Sequence, residues 1–230
     1  MGRRLVLWFI WLSFVAYTIW LAPLDHSYTW YLGRKLITLQ WGDLNAYISA
    51  IFSLMGVLPM VYACLMFADG RVQKFRAWPY FAGSNFTGVI CLLPYLLFRH
   101  RNQEFYGEKD KWLQLFDRRS TGVALLVSAI ALIIYAIVAG DWKDYVQQFH
   151  TQPFVHLISL DFCLICLIFP ITSLFDDDMA RRNFYSARLF WSVALVPLFG
   201  PLVYLCLRPS LGETQPSDRT PLSNNGLEAT

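Results

Sequence analysis

Six stretches of this chain are apolar over about 17 to 25 residues, the length an α-helix needs to cross a bilayer. They run over residues 5–23, 44–67, 78–98, 121–140, 154–175 and 185–207. No other feature narrows the fold as much. In lipid, backbone N–H and C=O groups must be satisfied within the protein, and for runs of this length the helix is the solution. Residue usage agrees: of 230 residues, 56% are hydrophobic and 15% charged, where soluble domains carry about 25% charged residues. The expected fold class is all-α, a multi-pass membrane protein with six transmembrane helices. The net charge of +3 is spread over many loops and forms no basic stripe. Nucleic acid is therefore not an expected partner; the lipid bilayer and other membrane proteins are. The first span is longer than the apolar core of a signal peptide, and no small-residue cleavage pattern follows it, so a permanent helix is expected there.

The fifth span holds the one acid expected deep in the bilayer. It reads FVHLISLDFCLICLIFPITSLF, with Asp161 near its middle. An ionised carboxylate at that depth costs about 2.5–3.5 kcal/mol on insertion scales. Asp161 must therefore face the bundle and find a partner, stay protonated, or line a wet cavity. Ser159 and His156 are the nearest polar neighbours in sequence, and the three form a candidate intramembrane polar site. Two readings stay open: a proton or cation site, or a hydrogen-bonded contact between helices. Gly83, Ser84, Thr87 and Gly88 in the third span are small enough to let helices approach closely, and they form a candidate helix-packing face. Asp176, Asp177 and Asp178 offer hard oxygen ligands but lack the spacing of a calcium loop. Arg181 and Arg182 follow at once, so an ion-paired cap is expected there rather than a metal site. The five cysteines, Cys64, Cys91, Cys163, Cys166 and Cys206, all fall in apolar stretches, which points to buried thiols rather than a disulfide framework. No metal-ligand set is visible, and the sequence names no cofactor.

The chain also echoes itself. The second span closes with MFADGRVQK and the fifth with LFDDDMARR; the third ends LLPYLLFR and the sixth GPLVYLCLR. Arg3-Arg4 precede the first span, and Arg118-Arg119 precede the fourth. Tyr95 and Arg99 thus correspond to Tyr204 and Arg208. Three matched junctions in the same order point to a duplicated three-helix unit. The expected organisation is a first repeat over 1–115, a second over 116–208, and a disordered tail over 209–230, which has little to bury. A unit of three crossings used twice places the second copy upside down, the inverted-repeat plan. Both termini then share one side. Eight basic residues fall on that side and eleven on the other, a near-balance that leaves orientation open. Reporters after Gly107 and after Thr230 are expected in opposite compartments.

Each half resembles a family of short three-helix bacterial membrane proteins, domain-of-unknown-function family 2834. The resemblance rests on the ADGRVQK and DDDMARR turns, the tryptophan-bearing start of the next helix, and the LLPYLLFR and GPLVYLCLR endings. It implies a tandem form of the kind found in cyanobacteria and plastids, and hence a photosynthetic, thylakoid-type membrane. The family has no established activity, so the resemblance speaks to fold.

No HExxH, GxSxG, phosphate loop or dinucleotide fingerprint occurs in the chain, and no catalytic residue is assigned. The leading expectation is a non-enzymatic membrane protein acting in the assembly or maintenance of a membrane complex. The alternative is a small transporter or proton/cation-permeation protein centred on Asp161. A membrane enzyme ranks third.

Overall fold

The computed structural model describes residues 2–20, 27–105 and 108–212, and among these every regular element is helical. In chain order they are α1 (Gly2–Trp20), α2 (Ser27–Ile37), a 3-10 turn (Trp41–Asp43), α3 (Ala46–Asp69), α4 (Ala77–Thr87), α5 (Val89–Phe98) and α6 (Lys111–Asp117). Then come α7 (Arg119–Ala139), α8 (Trp142–Thr151), α9 (Pro153–Ile168), α10 (Ser173–Arg181), α11 (Ala187–Ala194) and α12 (Phe199–Leu207). Side chains set several starts. Asn45, Asp110, Asp141 and Thr172 each accept hydrogen bonds from backbone N–H groups of the first turn of α3, α6, α8 and α10, groups that otherwise lack an intrahelical partner.

Three helices, α1, α3 and α7, are long and apolar enough to cross a membrane. Counting α8 and α9 as one broken span gives a fourth, but the two meet at 104°. The core is built around α3, whose buried residues run along its length from Ala46 to Asp69. By contrast, α1 and α7 turn most of their apolar side chains outward, among them Phe9 and Val138, as helices bathed in lipid do. One narrow stripe of α7 faces inward. Gly122, Ala129 and Ala136 recur every seventh residue and are buried. At Gly122 the backbone of Leu205 lies so close that a Cβ would stand 2.7 Å from its carbonyl carbon.

The expected third and sixth crossings differ from what the structure contains. Residues 77–98 fold as two legs, α4 and α5, joined at Gly88, whose φ of 57° is left-handed backbone that suits glycine. A Cβ on Gly83 would lie 3.1 Å from that of Cys91, and the rings of Tyr80 and Tyr95 stand 5.8 Å apart. In one continuous helix those pairs would be separated by about 12 and about 22 Å. The legs therefore run antiparallel. The same holds for α11 and α12, which turn at Leu198 with φ 68°. Gly200 abuts the Val193 backbone, and the ring of Phe175 touches both Phe190 at 5.4 Å and Tyr204 at 4.8 Å. Legs of 8 to 11 residues reach about 12–17 Å, half of a hydrocarbon core about 30 Å thick.

Because each hairpin returns to where it began, the two halves sit differently from the expected inverted pair. Arg4 Nη2 donates to the Arg99 carbonyl at 3.1 Å, and Arg119 Nε donates to the Arg208 carbonyl at 3.3 Å. The starts of α1 and α7 and the ends of α5 and α12 thus share one end of the bundle with the end of α3 and with α10. At the opposite end, Asn45 Nδ2 donates to the Asp141 carbonyl and to Asp144, both at 2.7 Å. Helices α3 and α9 run parallel: Ile48 packs with Val155 near one end, and the Tyr62 hydroxyl donates to the Ile165 carbonyl further along. Matching ends of the two halves lie side by side, where inversion would put the bilayer between them. The physical reason is that the third segment of each half folds back on itself, so it begins and ends at the same end of the bundle.

The tail expected from 209 begins as packed chain. Leu211 is buried and its N–H donates to Asp117 at 3.0 Å, while the Pro209 carbonyl accepts from Arg182 at 2.6 Å. Residues 213–230 lie outside the described part, and with them the rest of that expectation.

Candidate functional site

The end of the bundle where the hairpins return holds a buried cluster of ions. Four carboxylates, Asp69, Asp117, Asp177 and Asp178, and four guanidinium groups, Arg99, Arg181, Arg182 and Arg208, are buried there. Four against four leaves the interior of the cluster neutral, the condition under which buried charge is tolerated.

Two motifs repeat within it. Asp69, the last residue of α3, accepts from the Tyr95 hydroxyl at 2.8 Å and from Arg99 at 2.9 and 2.5 Å. Asp178 on α10 accepts from the Tyr204 hydroxyl at 2.8 Å and from Arg208 at 3.1 Å. Acid and tyrosine are 26 residues apart in both trios, acid and arginine 30. Asp69 ends α3, whereas Asp178 sits within the short α10 that follows α9, and each Tyr–Arg pair lies one helical turn apart on the returning leg of a hairpin. The trios also cross-connect. Arg99 Nη2 reaches Asp177 at 2.7 Å, and Arg181 Nη2 reaches Asp69 at 3.1 Å. Arg182 bridges Asp178 at 2.9 Å and Asp117 at 2.6 Å. Burial alone would raise the Asp178 carboxyl, but Arg182, Arg208 and Arg181 outweigh it and hold the group well below the usual carboxylate range. Asp117 is lowered as well, with Arg182 and Lys109 overriding its burial. The three consecutive acids expected to form an ion-paired cap take separate partners: Asp176 pairs with Arg3, Asp177 with Arg99 and Arg101, and Asp178 with Arg182 and Arg208.

Asp161 lies apart from this cluster and meets the first hairpin at its tip. Its Oδ1 accepts from the Val89 N–H at 2.9 Å, and a Cβ on Gly88 would fall on its carboxylate. The carboxylate thus caps the first turn of α5 from another helix, satisfying a donor that has no partner in its own leg. Of the two readings left open for Asp161, the contact between helices is the one with a visible partner. Ser159 and His156 do not join it. Ser159 Oγ donates to the Val155 carbonyl at 2.7 Å and accepts from Tyr145 at 2.9 Å. His156 Nδ1 stands 3.0 Å from the Phe149 carbonyl, with its ring against Phe149. The expected packing face is similarly divided. Gly83 faces Cys91 inside the hairpin, Ser84 is buried and donates to the Phe81 carbonyl, Gly88 meets Asp161, and Thr87 is exposed and bonds back to Gly83. The five cysteines are free thiols; Cys64 and Cys166 are buried as expected, Cys91 and Cys206 partly so, and Cys163 is exposed.

Sequence reasoning missed Asp69, Asp117 and the pairing of Arg99 and Arg208 with acids. The signal was present: an acid at or just past the end of the second apolar stretch and a Tyr-x-x-x-Arg ending 26 to 30 residues later, in both halves. Compared with family models, with curated proteins and with solved structures, the chain matches none.

Proposed function

We propose that this chain is an integral membrane protein that crosses the bilayer four times, with α1, α3, α7 and α9, and dips two helical hairpins half-way in from one side. On this reading it is a tandem duplication whose copies are parallel, each made of two crossings and one hairpin. An even number of crossings per copy keeps the second copy upright. Irregular backbone at a hairpin tip is tolerated at membrane depth where protein covers it, and Asp161 provides that cover for the first tip.

Its activity, in our reading, is non-enzymatic: assembly or maintenance of a membrane complex. The observation that carries this is that each carboxylate buried among the described residues already has a protein donor, in the four-by-four cluster or at Val89. In the cluster only Arg181 Nη1 and Arg208 Nε are left without a partner, so the acids hold the architecture together rather than await a substrate. The photosynthetic membrane enters this proposal from the family resemblance alone. Mild-detergent purification of the tagged chain from its native membrane tests the reading. Stoichiometric co-purification of other membrane subunits is expected; a chain that elutes alone at native abundance would count against it.

Proton or cation permeation is the second reading, favoured by one observation: a carboxylate at the tip of a half-membrane hairpin, the sort of broken helix that transporters use. Asp161→Asn separates the two. The amide oxygen still accepts from Val89, so both readings expect a folded protein. Loss of ion flux in proteoliposomes at unchanged abundance supports permeation; wild-type flux in the variant, or none in either protein, removes it.

A further inference from the structure

A cleft of about 530 Å³ opens between the end of α3, the start of α4 and α6, at the charged end of the bundle. Its size is within the range of about 300–1,000 Å³ typical of ligand sites. Its floor is aromatic and apolar, with Phe67, Phe81, Ala82 and Phe116; Phe67 stacks on Phe116 at 5.0 Å. Trp78 and Trp112 stand at its mouth and are 55% and 64% exposed. Two cations rim it. Arg71 is committed to Asp110 at 2.8 Å and to the Glu108 carbonyl at 2.6 Å. Arg76 also lines the cleft, is exposed, and among the described residues has no acid or carbonyl partner. Arg76 precedes the first turn of α4 without capping it, so no structural task accounts for its charge.

The second half lacks this combination. At the corresponding place, between α10 and the approach to α11, a smaller cleft of about 350 Å³ is lined by Asp176, Ala180 and Tyr185 with Arg101 and Gln103. There an acid stands where the first half has Phe67, and a tyrosine where it has Arg76. The apolar floor with a spare cation is therefore particular to one half and is not a by-product of the shared fold.

An apolar floor, indoles at the mouth and an unpaired guanidinium beside them match the parts of one molecule class. Indoles favour the membrane interface, an acyl chain fits the floor, and a guanidinium recognises phosphate. We propose that this cleft seats one acyl chain of an anionic phospholipid, with the headgroup phosphate on Arg76. The proposal rests on the membrane reading above.

Tryptophan quenching in nanodiscs tests it. Phosphatidylcholine discs carrying the protein receive a minor fraction of lipid brominated along its chains, either phosphatidylglycerol or phosphatidylcholine. The signal of Trp78 and Trp112 is obtained by difference from a Trp78→Phe/Trp112→Phe variant. Brominated phosphatidylglycerol is expected to quench that signal roughly fivefold more effectively than brominated phosphatidylcholine, the enrichment that one basic side chain gives an anionic lipid. Arg76→Gln, at an exposed site, should abolish the preference and Arg76→Lys retain much of it. Equal quenching by both lipids in the wild type would overturn the proposal, leaving an ordinary lipid-facing surface. Protection from both would overturn it too, since protein, such as a second copy, would then cover the cleft. A chain that stays outside the discs overturns the membrane reading and this proposal together.

Discussion

The carboxylate of Asp161 occupies the space that a side chain on Gly88 would need. The two residues come from different halves of the chain, and each makes the other's conformation possible. Gly88 turns the first hairpin with φ 57°, and Asp161 accepts the N–H of Val89 that the turn exposes. Gly88→Ala therefore meets two penalties: about 1–3 kcal/mol for the strained backbone and about 1–3 kcal/mol for overpacking. Gly83→Ala, which meets the side chain of Cys91 without a backbone penalty, should cost less. In a double-mutant cycle, Asp161→Ala added to Gly88→Ala should cost less than the two singles predict, because the clash is gone. Thermal melting in mild detergent measures all four proteins. Strict additivity would mean that the contact is not formed.

Acid should act through the charge cluster. The Asp178 and Asp117 carboxyls are held below their usual range, so their contribution is fully present above the unfolded value of about 3.9 and is lost as pH falls through the folded ones. Melting temperature should be level from neutrality to about pH 5 and fall below about pH 4. Asp178→Asn should cost about 3–5 kcal/mol at neutral pH, since it leaves Arg182 and Arg208 buried beside a neutral group. A melting temperature unchanged down to pH 3 would show that the cluster is solvated rather than buried.

The end of the chain offers a sharper cut. Truncation after Gly212 should leave melting unchanged. Truncation after Arg208 removes Leu211 from its buried site and removes the Pro209 carbonyl from Arg182, and should cost about 2–5 kcal/mol, the range for emptying a large buried apolar site. Equal stability of the two truncations would refute the packing of residues 209–212.

Hydropathy reported where the chain is apolar, and the long helices α1, α3 and α7 follow it. It could not report direction. Two legs of about ten residues and one helix of about twenty have the same apolar content, and only the turn tells them apart. Polar Asn85 and Thr87 beside Gly88, and Pro197 beside Gly200 and Pro201, were that mark. The small size of Thr87 and Gly88 points instead to a packing face on one continuous helix. The ion cluster was half visible for the same reason. The i,i+4 pair of Asp178 and Arg182 follows from helical spacing, whereas Asp69 with Arg99 and Asp178 with Arg208 require the hairpin that brings its far end back. Asp161 was singled out by the cost of its burial, and its partner proved to be a backbone N–H, which no side-chain pattern announces.

The hairpins also change the arithmetic of orientation. With six crossings the basic residues divide eight against eleven, a split the positive-inside rule cannot read. With four crossings and two hairpins the described ones segregate. Arg3, Arg4, Arg71, Lys74, Arg76, Arg99, Arg101, Lys109, Lys111, Arg118, Arg119, Arg181, Arg182, Arg188 and Arg208 fall at the charged end, fifteen in all, against Arg34, Lys35 and Lys143 at the other. Arg219 lies beyond the described residues. Fifteen against three is the asymmetry expected of a protein with its charged end in the cytoplasm or its equivalent. Reporters fused after Asn102 and after Leu211 should therefore both report that inner compartment, and a reporter after His150 the opposite one. Six crossings require the first two to disagree. Opposite compartments for Asn102 and Leu211 would restore the six-crossing arrangement and would remove the half-membrane hairpins on which the parallel duplication depends.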